Sequence, residues 1–308
     1  MLVASISGGF LGMKKRVAIV LAAVAFLYVS LSFVGGALAM RIPRLPLVGS
    51  PASVGLDYQD VSFPARSDRT ALKGWYIPGQ GESAIIVVHG GTQNRVDENV
   101  DTLGLARDLA GKGYDVLLFD LRGRGESAGR GRALTNVEPD IGGAVDYLKS
   151  RGYAEGSIGI IGYCSGAASS AIYASNNDVG GLVMDGAFPT VAGMVISEAV
   201  SAGIPKIVVE AFIPGLTVTT RIMYGFVPTE PVDVIRRIGR PILFIHEQND
   251  STVSWEDTTR LYHASTNPDN QIWEVSSVEH SQGYQNYPAE YVARVDNFFS
   301  RSLTRRRP

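Results

Sequence analysis

Six short apolar runs, each closed by turn residues, recur along the chain at Ala84–Val88, Val116–Phe119, Ile158–Ile161, Leu182–Met184, Ile242–Ile245 and Ile272–Val275. Runs of this length bounded by glycine, proline and polar residues predict buried strands. Between them, apolar positions fall three and four apart at Leu103, Ala106, Leu109 and Ala110 before Gly111, and at Ile141, Val145 and Leu148 before Gly152. That spacing predicts two helices, the second opened by Thr135 and Glu138 in a capping-box arrangement. Alternation of strand and helix requires crossover helices on both faces of a sheet, so the pattern predicts a mostly parallel, doubly wound α/β sheet. Ahead of it, Val61–Phe63 and Leu72–Ile77 predict an antiparallel pair at one sheet edge. The stretch from Phe188 to Arg237 interrupts the alternation with apolar Val208–Leu216 and Ile222–Val227. It is too long for a plain connection and predicts a helical cap insertion, about residues 188–237, over the reactive carboxyl ends of the strands, with ordinary helices packed on the sheet as the alternative.

The N-terminus follows a different pattern. Lys14, Lys15 and Arg16 precede an uncharged apolar run from Val17 to Met40, longer than the roughly 20 residues a helix needs to cross a bilayer. Ala37-Leu38-Ala39 resembles a signal-peptidase site, but the run exceeds the roughly 7–15 residues of a signal h-region. A retained single-pass signal anchor is therefore expected, with a secreted chain cleaved near Ala39 as the alternative. The basic cluster outweighs Arg41 and Arg44 on the other side, which favours a domain outside the cytoplasm. Met13 is an alternative start to Met1. The expected organisation is a short segment 1–16, a transmembrane helix 17–40, a proline-containing extended linker 41–56 that lifts the domain off the bilayer, and one domain over 57–304.

Composition narrows the function classes. With 308 residues, 45% hydrophobic and 19% charged, the chain can bury a full core. Its 28 basic and 30 acidic residues leave a net charge of −2, which offers no nucleic-acid footprint. No metal-ligand spacing, phosphate loop or dinucleotide fingerprint is found, so no cofactor is implied. Oligomeric state is not legible, and the basic tail after Arg301 reads as a solvated end.

A single cysteine cannot form an internal disulfide, which shifts interest to where it lies. It lies in Ile160-Ile161-Gly162-Tyr163-Cys164-Ser165-Gly166-Ala167-Ala168, a strand, a glycine-flanked turn and a helix start. This matches the nucleophile elbow G-x-S-x-G with cysteine at the third position. Gly162 and Gly166 supply the room a strained turn needs. The helix start offers unbonded N–H groups and a positive dipole end to a thiolate or an oxyanion. A buried cysteine acting as plain apolar filler is the bland alternative. Gly91, in the turn after Ala84–Val88, and Ser165 are the expected oxyanion-hole donors through their backbone N–H groups. His89 is expected to hold that turn. Partner order in this constellation is nucleophile, acid, histidine. Among four histidines, His280 follows the last strand in a polar loop, whereas His263 falls within a helical pattern. Asp250, at the end of Leu243–Asp250, is the expected acid, with Asp185 as the alternative.

These residues together resemble the α/β-hydrolase superfamily from about Asp57 to Phe299, and within it the serine-aminopeptidase-like branch of esterase-like proteins. The resemblance is carried by Gly74–Pro78, His89-Gly90-Gly91, Phe119–Ser127, the elbow, Ile245–Asp250 and His280. It implies a structural role for Asp120–Ser127. The cysteine departs from that branch. Its Gly162-Tyr163-Cys164-x-Gly166 string is similar to the elbow of dienelactone hydrolases, which implies a Cys-His-Asp triad.

The resulting expectation is hydrolysis of a small acyl substrate, whether ester, lactone or thioester, through an acyl-cysteine intermediate. Peptidase activity is disfavoured because a thiolate is itself a good leaving group. The rival expectation is a membrane-bound binding or scaffold protein that has lost hydrolysis. Met194, Phe212 and Tyr224 of the cap are expected either to line an acyl site or to pack the cap.

Overall fold

The chain is described over residues 2–130 and 137–304 of a computed structural model, with side chains from Met13 onward. Helix α1 (Leu2–Ala39) leads into an extended segment, and the sheet begins with β1 (Gln59–Pro64), β2 (Ala71–Ile77) and β3 (Ala84–Val88). Then come α2 (Thr102–Gly111), β4 (Asp115–Phe119), α3 (Glu138–Ser150), β5 (Ile158–Tyr163), α4 (Ser165–Ala174) and β6 (Gly181–Asp185). Helices α5 (Val191–Ser201), α6 (Lys206–Tyr224) and α7 (Pro231–Val234) occupy the expected cap region. The chain closes with β7 (Ile242–Glu247), α8 (Trp255–Ala264), β8 (Gln271–Val275), α9 (Gly283–Asn286) and α10 (Pro288–Ser302).

The eight strands form one sheet in the order β1-β2-β4-β3-β5-β6-β7-β8. β1 and β2 pair antiparallel, as do β2 and β4, and the other pairs are parallel. Period-two alternation sends Ile86 and Val88 to one face and Ile85 and Val87 to the other. On the first face they join a core with Ile141 and Val145 of α3, Ala167 and Ala171 of α4 and Leu261 of α8. On the second they join Leu105 and Leu109 of α2 and Val295, Phe298 and Phe299 of α10. Strand order reverses at β3, whose neighbours are β4 and β5. Val88 pairs with Gly162 there, which puts the ends of β3 and β5 side by side at the crevice where such sheets bind ligands.

One local expectation is corrected. The linker after α1 lies along the domain. Arg44 Nη1 donates to the Gly125 and Ser127 carbonyls at 2.7 and 2.8 Å, Asn94 holds the Pro46 carbonyl at 3.0 Å, and Leu47 packs on the core. The prolines set an extended path, and side chains of the domain bind its backbone. Helix α3 starts at Glu138, with Val137 as its cap; the expected capping box involves Thr135, which lies outside the described residues.

Candidate active site

Cys164 sits between β5 and α4 with φ 52° and ψ −120°, a region that non-glycine residues enter only under strain and that clusters at functional sites. Its N–H donates to the Asp185 carbonyl at 2.9 Å, which ties the turn to β6. The glycines are required by close approach. A Cβ on Gly162 would lie 2.6 Å from the Ala167 Cα, and one on Gly166 would press into the Val88 and His89 carbonyls. Gly166→Ala should therefore destabilise the fold by about 2–4 kcal/mol, read from the denaturant midpoint. A loss under half a unit would refute the contact.

His280 and Asp250 arrive from the loops after β8 and β7. His280 Nδ1 and Asp250 Oδ2 are 2.6 Å apart, and the Asp250 side chain is fully buried. The other carboxylate oxygen accepts the N–H groups of Thr252 and Val253 at 2.7 and 2.8 Å, so the acid is fixed by backbone and aims at the ring. Nε2 of His280, on the opposite side of the ring, is buried and makes no aligned hydrogen bond. Burial pushes the imidazole pKa down, but the neighbouring Cys164 sulfur and the Asp250 carboxylate override it and raise it to about 12. Contacts of this kind often stay misaligned until substrate binds. His263 is exposed on α8, away from this group.

The donor side of the site is built from the turn after β3. His89 is buried; its Nε2 accepts the Leu121 N–H at 3.1 Å, and Nδ1 bonds the Gly90 carbonyl at 2.7 Å. Burial lowers its pKa to about 3, so it is neutral, as that pair of bonds requires. Because N–H and C=O of a trans peptide point in opposite directions, holding the Gly90 carbonyl turns the Gly91 N–H the other way. Gly91 lies beside Ser165, whose Oγ would stand 2.7 Å from a Cβ placed on it. Buried Arg124 grips the Gly91 carbonyl through Nε and Nη2 at 3.0 and 2.8 Å. Asp120 accepts from Arg95 and Glu126 and fixes the neighbouring loop.

Asp185, the alternative acid, does not bond His280. Its carboxylate accepts the Tyr291 hydroxyl at 2.8 Å and faces Glu247. Burial raises Asp185 to about 6, while burial and the neighbouring Asp185 hold Glu247 well above the carboxylate range. Two carboxyl groups this close, away from water, retain a proton between them. Glu247 gave no signal in the sequence, being the last residue of an apolar strand. Asp97 was also missed. It is buried, lines the cavity, and is pushed up by burial.

A cavity of about 470 Å³ adjoins the group and is lined by Gly91, Cys164, Ser165, His280 and Met194 among others. Of the three cap side chains, Met194 alone reaches it. Phe212 stacks on Tyr28 of α1, and Tyr224 packs on the cap cluster.

Comparison with known proteins agrees with this architecture. The profile of a family described as alpha/beta hydrolase fold matches residues 83–215. An uncharacterised protein of Bacillus subtilis, YqkD, is 28% identical over 74% of this chain and 74% of its own. The esterase Pf2001 of Pyrococcus furiosus superposes with a TM-score of 0.70 at 24% identity, covering 86% of this chain and 98% of the esterase. Est1E from Butyrivibrio proteoclasticus, solved with ferulic acid, gives 0.58 at 16% identity, covering 79% of this chain and 99% of that one.

Proposed function

We propose that this chain, which has the alpha/beta hydrolase fold, is a membrane-tethered hydrolase that cleaves a small ester, lactone or thioester through Cys164, His280 and Asp250. The observation that carries the reading is a histidine bonded to a buried carboxylate and lining one cavity with the cysteine of the strained turn. The esterase Pf2001 among the structural relatives supports the reaction class. The Cys164 thiolate attacks the carbonyl carbon, and the Gly91 and Ser165 N–H groups stabilise the tetrahedral oxyanion. The His280 imidazolium then protonates the departing alcohol or thiol, leaving an acyl-cysteine and a neutral ring. That ring takes a proton from water, whose oxygen attacks the acyl carbon. Collapse releases the carboxylic acid and frees the Cys164 sulfur, with Asp250 holding one tautomer throughout. Helix α1 from Met13 to Ala39 is long and apolar enough to cross a bilayer, and on this reading it is a retained anchor with the domain outside the cytoplasm.

Iodoacetamide at neutral pH tests the assignment. Alkylation should fall on Cys164 much faster than on an ordinary thiol and abolish ester turnover in proportion; slow labelling, or turnover by the fully alkylated protein, would refute it.

The raised histidine makes a pH prediction. Held at about 12, His280 stays protonated from acid through the neutral range, so its ring proton resonances should show no step between about pH 6 and 9. Cys164→Ser removes the sulfur that contributes to the raising. His280 then falls toward its ordinary value, and the serine variant, which needs a neutral imidazole as base, gains activity as pH rises. A wild-type step near pH 6.5 would contradict the raised histidine.

A further inference from the structure

Helices α1 and α6 are fitted to each other closely. Tyr28 stacks on Phe212 with ring centroids 5.0 Å apart, and its hydroxyl enters the α6 backbone, donating to the Ala211 carbonyl at 3.0 Å and accepting the Gly215 N–H at 3.1 Å. Those are the two groups an unbroken helix would join directly. Ser32 fills the space where Gly215 has no side chain, and Gly35 and Gly36 meet Leu216, Thr219 and Thr220. The Thr219 hydroxyl donates to the Ser32 carbonyl at 3.0 Å. Small residues at the contact and hydrogen bonds between helices are how helices associate within lipid, where apolar burial gives no preference.

The position of this contact along α1 sets its depth. A hydrocarbon core of about 30 Å takes about 20 residues of helix, which counted from Arg16 ends near Gly36. Side chains 13–27 of α1 are exposed throughout, so the contacts at Tyr28, Ser32, Gly35 and Gly36 fall in the second half of the span. α6 runs parallel to α1, because Tyr28 meets Ala211–Gly215 and Gly36 meets Thr219 and Thr220. The outer face of α6 suits that depth: Ile207, Val218 and Ile222 are 76%, 56% and 67% exposed, on one stripe with Ala211 and Pro214. Val200 and Ile204 extend the apolar surface at the turn from α5. Lys206 and Glu210 pair with each other at 3.7 Å, which lessens the cost of immersing them. The cavity beside Cys164 is walled by Met194, Val195 and Ala199 of α5 and by Ala39, Arg41 and Ile42, at the end of α1.

We infer that the α5–α6 hairpin is immersed in one leaflet beside α1, and that the cavity takes its acyl substrate from that leaflet as a membrane-resident amphiphile. The substrate class rests on the hydrolase reading of Cys164; the immersion does not. The full chain in phosphatidylcholine vesicles tests both. Tryptophan placed by Ile207→Trp or Val218→Trp should be quenched by acyl-brominated lipid about threefold or more above Glu82→Trp, at the far end of the strands. Equal quenching at the three positions overturns the immersion whatever the activity. For access, Val218→Glu with Ile222→Glu should cut hydrolysis of a long-chain ester held in vesicles by about tenfold, with a water-soluble acetate ester changed by less than about twofold. Equal losses on both overturn entry from the leaflet. If wild type hydrolyses neither ester, the hydrolase reading fails and the inferred substrate class fails with it, while the quenching result still decides the immersion.

Discussion

Cys164→Ala should lower kcat on a short p-nitrophenyl ester by about a thousandfold or more, with KM little changed. The substitution removes the atom that forms the covalent bond and leaves the rest of the cavity in place. Alanine also fits the turn, since the strain at φ 52° belongs to the backbone and is present with cysteine. Folding measured by thermal unfolding should therefore hardly move. Cys164→Ser should restore part of the rate, because Ser Oγ can occupy the same strained position with His280 as base. An alanine variant as active as the wild type would remove the sulfur from the reaction.

Asp250→Asn carries the second large effect. One carboxylate oxygen holds His280 Nδ1 and the other accepts two backbone N–H groups. An asparagine that keeps its oxygen on those N–H groups must turn its amide NH₂ toward Nδ1. The ring must then accept there, its proton moves to Nε2, and the ring loses both the base needed for water and part of the stabilisation of the imidazolium. A fall in kcat of about a hundredfold to ten-thousandfold is expected, with the resonance of the His280 ring shifted. Because Asp250 also bonds the Thr252 and Val253 amides, a parallel measurement of unfolding separates loss of the carboxylate charge from loss of the loop. Retained kcat with a lowered unfolding midpoint would make Asp250 a loop residue only.

Much of the architecture was legible because its signals are local. A buried strand is an apolar run with turn residues at both ends, and the six expected runs coincide with β3 to β8. The elbow was legible because the turn at Cys164 forces glycine at positions 162 and 166, where a Cβ would strike neighbouring backbone. That Asp250 and His280 would meet was legible from chain order and strand ends. What stayed hidden depends on contacts between distant segments. Tyr28 looks like one more residue of an apolar span, and only the packed chain puts its hydroxyl between Ala211 and Gly215. Prolines gave the linker an extended path but could not reveal that Arg44 would find three carbonyls of the 124–127 loop. Glu247 and Asp185 approach each other across β6 and β7, a pairing that follows from sheet order and leaves no mark in either strand.

The most direct test is intact-mass and peptide analysis of protein quenched in acid during turnover of p-nitrophenyl butyrate. The account predicts a butyryl group on the peptide carrying Cys164, accumulating in the first turnover and lost as the substrate is consumed. Steady turnover with Cys164 unmodified, or with the acyl group on Ser165, would contradict it.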